Sequence, residues 1–97
     1  MRKMANIKKF TKQEAKGIGV GLKPTVHVGK DGLTESIVAE LKNQMKTNHV
    51  VKVKVLGPSV DQKREIAEEL ANRSGTKLIE IRGSTILLCD QRNYQGE

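Results

Sequence analysis

Apolar residues recur along this chain in two rhythms, and each rhythm predicts an element. Leu33, Ile37, Val38, Leu41 and Met45 are spaced three and four apart, which gives one stripe on a helix of roughly four turns. Residues 50–56 read V-V-K-V-K-V-L, so Val51, Val53 and Val55 share one face of a strand while Lys52 and Lys54 share the other. A shorter alternation from Thr25 to Val28 predicts another strand. Ile66, Ala67, Leu70 and Ala71 return to helical spacing, and the runs 76–82 and 84–89 are both β-like. These two runs pivot at Arg82, Gly83, Ser84 and Thr85, where a hairpin turn is expected. Ile79 and Ile81 would then face inward, and Glu80 and Arg82 would turn out onto the face that carries Lys52 and Lys54.

Punctuation residues set the boundaries. Thr11-Lys12-Gln13-Glu14 fits a capping box, in which the Thr hydroxyl and the Glu carboxylate each satisfy a backbone N–H, and Phe10 can staple onto Ala15. That helix should fray near residue 20, because Gly17, Gly19 and Gly21 erode helix propensity and Lys23-Pro24 biases the chain to an extended form. Gly57-Pro58 ends the Val-Lys strand, Ser59 with Gln62 carries a second capping-box signature, and Gly75 stops the helix that follows. From Asp90 the tail is polar and is expected to be loose. The order α-β-α-β-α-β-β, with its two crossover helices, implies at least one parallel pairing in a small sheet. The expected fold class is therefore α/β, a single domain over residues 1–97 with its core at about 11–89, a basic N-terminal arm and a loose C-terminal tail.

Composition narrows the partners. A chain of 97 residues has the length of one domain, able to bury about 60–65% of its unfolded surface. Its 18 Lys and Arg against 11 Asp and Glu leave a formal charge of +7. A polyanion is thus the first partner class, without a choice among RNA, DNA and an anionic membrane surface. The longest apolar run is far short of the roughly 20 residues that span a bilayer, and Met1-Arg2-Lys3 leads into polar residues, so a soluble cytoplasmic protein is expected. Cys89 stands alone and cannot form an internal disulfide, and His27 and His49 give no zinc-ligand spacing with it. With Phe10 and Tyr94 as its only large aromatics, the chain lacks a stacking platform, so any nucleic acid must be held mainly by its backbone.

Candidate chemistry concentrates in Gly29-Lys30-Asp31-Gly32, a GxxG loop between a strand and a helix. Glycines there permit positive φ and close approach of another backbone, and the following helix directs free N–H groups and a partial positive charge at the loop. KH domains clamp a nucleic-acid backbone with this form, and Lys30 is placed to neutralise a phosphate. A plain structural turn needs nothing more than the same two glycines. The loop is not a P-loop, and "GIGVG" follows a helix and ends one residue short of the dinucleotide fingerprint. No Ser, Cys or His trio suggests a nucleophile, and the acidic residues at 35–40 and 61–69 read as solvated helix faces, so no catalytic residue, cofactor or metal is expected. A second constellation is cationic: Lys52 and Lys54 on a strand face, with Lys23, Lys30, Lys77 and Arg82 in or near loops and strand ends. Outward lysines also serve solubility alone, and the net charge tilts the balance toward binding. His27 reads as an exposed strand residue, His49 as a turn residue and Cys89 as a small hydrophobe. Arg2, Lys3, Lys8, Lys9 and Lys12 read as a basic arm or a solubilising end.

Taken together, "LKPTVHVGKDGLTESIVAELKNQMKTNHVVKVKV" and "REIAEELANRSGTKLIEIRGSTILL" closely resemble the CRM (YhbY-type) RNA-binding domain, from about Thr11 to Leu88. The resemblance rests on Leu22-Lys23-Pro24, the Val-Gly-x-x-Gly-Leu-Thr-Glu segment ending at Glu35, the Val-Lys-Val-Lys strand, Ser74-Gly75 and the Gly83 turn. It departs at Cys89-Asp90, where many relatives carry an aromatic residue and an arginine. The resemblance implies a mixed four-stranded sheet backed by three helices, similar to the C-terminal domain of a bacterial translation initiation factor, and a KH-like GxxG loop that touches an RNA backbone. It also implies a role like that of single-domain family members, which look like ribosome-assembly factors on large-subunit precursors; multi-domain plant relatives act in group II intron splicing. The expected RNA-binding residues are Gly29, Lys30, Asp31, Gly32, Lys23, Lys52, Lys54 and Arg82, and the expected partner is ribosomal RNA of the large subunit or its precursor particle. A basic adaptor that docks an acidic protein is the alternative. An enzyme acting on nucleotides, a third reading, has no motif to carry it.

Overall fold

The computed structural model describes residues 9–96, apart from the side chains of residues 58–60 and 96. The part of the basic arm expected at Arg2, Lys3 and Lys8 lies outside the described residues. In chain order the elements are β1 (Phe10–Thr11), α1 (Lys12–Val20), β2 (Val26–Val28), α2 (Glu35–Met45), β3 (Val50–Val55), α3 (Lys63–Ser74), β4 (Thr76–Arg82), β5 (Thr85–Asp90) and β6 (Tyr94–Gly96). Thr11 starts α1 with the full reciprocal box, its hydroxyl accepting from the Glu14 amide at 3.1 Å while the Glu14 carboxylate accepts from the Thr11 amide at 3.0 Å. Gly75 ends α3 with φ 72° and ψ 33°, a left-handed conformation that glycine adopts without a Cβ penalty.

The main sheet has the strand order β2-β3-β5-β4. β2 is parallel to β3, and β5 is antiparallel to both of its neighbours, so β2, β3 and β4 run in one direction and their carboxyl ends meet at one end of the sheet. On one face α2 and α3 seal the principal core, in which Leu41, Leu70, Ile86 and Leu88 are fully buried against Val26, Val28, Val53 and Val55. On the other face α1 covers a smaller cluster of Phe10, Ala15, Val50, Ile79, Leu87 and Cys89. A Cβ at position 19 would stand 2.6 Å from Leu87 Cδ2, so Gly19 is what lets α1 lie this close to the sheet.

Some details differ from the sequence pattern. Ile79 and Ile81 do not share a face: a register shift between Leu78 and Glu80 turns Ile79 under α1, while Leu78 and Ile81 pack on the α2–α3 core. α3 does not begin after Ser59. Residues 57–62 form a 3-10 helix, and Gln62, at the N-cap position of α3, makes no side-chain cap bond. The tail from Asp90 is not loose. Gln91–Asn93 form a 3-10 turn capped by Asp90, and β6 then pairs in parallel with β1, matching Phe10 with Tyr94 and Thr11 with Gly96.

Cys89 is fully buried in the α1-side cluster, and burial, reinforced by the adjacent Asp90 carboxylate, pushes its thiol from 9.0 up to about 11. The folded state thus holds its proton where the unfolded chain releases it. This contribution to stability is complete below pH 9 and is lost as pH rises toward 11. We expect the urea midpoint to fall over that interval in the parent and to fall less in Cys89→Ala, compared in the same buffers.

Candidate nucleic-acid interface

The topology that closes the core also assembles the loops. Because β2, β3 and β4 end together, the GxxG loop after β2, the segment after β3 and the β4–β5 turn all stand at the same end of the sheet. Ligands of open α/β sheets gather at the carboxyl ends of such strands. Backbone bonds tie the loops to one another: the Leu56 amide donates to Val28 O at 2.8 Å, and the Val55 amide donates to Ser84 O at 2.8 Å.

Within the loop, the Gly32 amide donates to Gly29 O at 3.0 Å, closing a tight turn. Gly32 has φ 75°, a conformation that any side chain would strain, and nothing lies within 4 Å of where its Cβ would be. The space is open because this backbone faces outward. Thr34 then caps α2, its hydroxyl accepting from the Ile37 amide at 3.3 Å. The first-turn amides of Glu35 and Ser36 lack intrahelical acceptors, as at any helix start, and the helix dipole adds a partial positive charge beside the loop. Lys30 and Asp31 are both exposed at the tip.

The other expected site residues divide between two places. Lys54 and Arg82 lie near the loop: His27 pairs with Lys54, Lys54 with Thr85, and Thr85 with Arg82, one row across all four strands. Lys52 belongs to the next row, with Leu87 and Glu80, and is half-buried where α1 ends over the sheet. Lys23 is exposed, but it precedes the amino end of β2, whereas the loop follows the carboxyl end of that strand. Nor is the cationic face uniform. Glu80 lies between Arg82 at 3.7 Å and Lys16 at 4.0 Å.

Lys63 was not foreseen from sequence. Its ammonium donates to Gly83 O at 2.6 Å, which fixes a cation over the hairpin turn, at the same end as Lys30. Only the true start of α3 places it there. Among the described residues no group of three or more His, Cys, Asp or Glu could hold a metal ion, and no helix is long and apolar enough to cross a membrane. This end of the molecule offers backbone amides, cationic side chains and an open glycine turn, which is chemistry for holding a phosphodiester backbone.

Comparison with known proteins points the same way. The CRS1 / YhbY (CRM) domain matches residues 7–89. A Pseudomonas aeruginosa protein named as a probable RNA-binding protein is 34% identical over 77 residues, covering 79% of this chain and 74% of that one. A Haemophilus influenzae RNA-binding protein is 29% identical over 85 residues, covering 88% and 86%. The solution structure of a Staphylococcus aureus hypothetical protein superposes with a TM-score of 0.71 at 26% identity, covering 80% of this chain and 81% of that one. By its matched length, its relatives and its fold, the chain belongs to the CRS1 / YhbY (CRM) domain family.

Proposed function

We propose that this protein binds RNA without catalysing a reaction on it, and that its target is ribosomal RNA in precursors of the large subunit. The observation that carries the reading is the placement of the open Gly29, Lys30, Asp31, Gly32 turn at the capped start of α2, with Lys63, Lys54 and Arg82 at the same end of the sheet. Relatives named as RNA-binding proteins support the partner class. Resemblance to single-domain assembly factors supports the large subunit as the target. In this reading the glycines admit the backbone, and Lys30 with the α2 amides meets a phosphate. Asp31 stands opposite the attraction, so the grip depends on Lys30 rather than on loop charge as a whole.

The test is affinity for a large-subunit ribosomal RNA fragment across a salt series, with a small-subunit fragment beside it. Lys30→Asp should weaken binding about ten- to hundredfold, the value of one charge-assisted hydrogen bond. It should also reduce the log–log salt slope by about one. A variant that matches the parent makes the loop only a turn. Equal affinity for the two fragments removes the large subunit as the target.

A further inference from the structure

The row His27, Lys54, Thr85, Arg82 has a property the loop lacks: it is a strip of sheet that none of the described elements covers. Residues of the adjacent row, Leu87 and Lys52, lie under the end of α1, with Gly19 seated on Leu87. Beyond that point α1 stops at Val20, and the next row is left open, with His27 and Arg82 exposed and Lys54 and Thr85 half-buried. Adjacent strands lie about 4.8 Å apart, so the row spans about 14 Å from the edge beside the GxxG loop to the hairpin. Among the described residues no carboxylate lies within ion-pair distance of Lys54, while Arg82 shares Glu80 with Lys16. The strip therefore carries net positive charge.

Along its inner margin stands one apolar side chain. Val20, the last residue of α1, is 74% exposed. Val20 lines the same small recess as Thr85 and Arg82, so the apolar and cationic groups are neighbours. A cationic floor beside an exposed apolar side chain suits a strand whose charge lies on one side and whose base faces are uncovered. In a duplex those faces are stacked away, and Val20 would have nothing to cover.

We propose that the strip is a track for single-stranded RNA, continuous with the GxxG grip. Phosphates lie over Lys54 and Arg82, the His27 ring meets the first base beside the loop, and Val20 packs against a base face. This rests on the reading that the loop holds an RNA backbone. With one ring on the strip, base contacts are few, and binding tolerates sequence.

The experiment uses the full chain with two probes, an unstructured single-stranded RNA of about 12 nucleotides and a duplex of equal length, each titrated across a salt series. The parent should prefer the single strand. Lys54→Gln combined with Arg82→Gln should weaken that binding at least about tenfold and reduce the slope by about 1.4, since each phosphate contact on a single strand contributes about 0.7. Val20→Ser should weaken it about fivefold with the slope unchanged, as loss of a base-face contact does. Circular dichroism checks that each variant is folded. If the double variant matches the parent while Lys30→Asp still loses affinity, the track is wrong and the loop reading stands. If Lys30→Asp matches the parent while the double variant loses affinity, the loop reading fails and the continuous track fails with it. Equal losses on both probes, a parent that prefers the duplex, or a parent that binds neither probe also overturns the track.

Discussion

Ending the chain after Asp90 is expected to cost about 3–5 kcal/mol of folding stability, the range for stripping a large aromatic contact from a packed site. The residues removed look dispensable by composition, yet they close the α1-side cluster. Tyr94 packs against it from the edge, its ring 5.6 Å beneath the Lys77 ammonium, and Asn93, only 2% exposed, lies 3.1 Å by Oδ1 from His49 Nδ1. Gln91 donates to Thr76 O at 3.3 Å, and β6 pairs with the two residues that lead into α1. Without them Phe10 and Cys89 lose cover and the start of α1 loses its anchor. The checks are the urea midpoint and the rate at which a disulfide reagent modifies Cys89. The parent thiol should be nearly inert, because it is buried and protonated, and the shortened chain should react much faster. An unchanged midpoint with an inert thiol would mean that the tail merely lies on the surface.

That tail is also where the sequence was least legible, for an identifiable reason. Polar residues after Asp90 carry neither rhythm, and β6 gains its order from Phe10 and Thr11 at the far end of the chain. Such pairing leaves no local trace. The α2 and β3 parts of the principal core, in contrast, were written in periodicity: Val38, Leu41 and Met45 on α2 and Val51, Val53 and Val55 on β3 are buried where their spacing put them. Ile79 misled because Ile-Glu-Ile alternates regularly, and only pairing with β5 reveals the register shift.

The candidate site divides along the same line. Two glycines between a strand rhythm and a helix rhythm were enough to mark the loop, and Thr34 supplied the cap that fixes it to α2. Lys54 and Arg82 were placed on one face by alternation alone, and the ladder joins them in a single row with His27 and Thr85. Lys52 could not be separated from Lys54 by sequence. What separates them is the end of α1, a tertiary contact that depends on Gly19. Lys63 was hidden by the 3-10 segment, which shifts the start of α3 past the apparent capping box.

Replacing Leu41 with Ala should cost about 2–5 kcal/mol yet leave RNA affinity nearly unchanged, and this contrast separates the frame from the grip. Leu41 is fully buried on α2 in the centre of the principal core, so its removal leaves a cavity that the surrounding valines fill only in part. Leu41 is seven residues beyond the Thr34 cap, which at 1.5 Å per residue is about 10 Å along the helix. The turn from Gly29 to Gly32 is held by its own backbone bond and by the cap, neither of which involves Leu41. A protein of ordinary stability, about 5–15 kcal/mol, stays folded at room temperature through all but the upper part of that loss. Lys30→Asp should show the opposite pattern, since the side chain is exposed: little change in urea midpoint and a large loss of affinity. Both variants need both measurements. If Leu41→Ala lost affinity while still folded, the binding surface would have to include the packing of α2 itself, and the loop could no longer be treated as a local, preformed grip. If it kept affinity, the core's part in binding is to bring the ends of three strands together, and the contact with RNA is made by groups that contribute almost nothing to holding the fold.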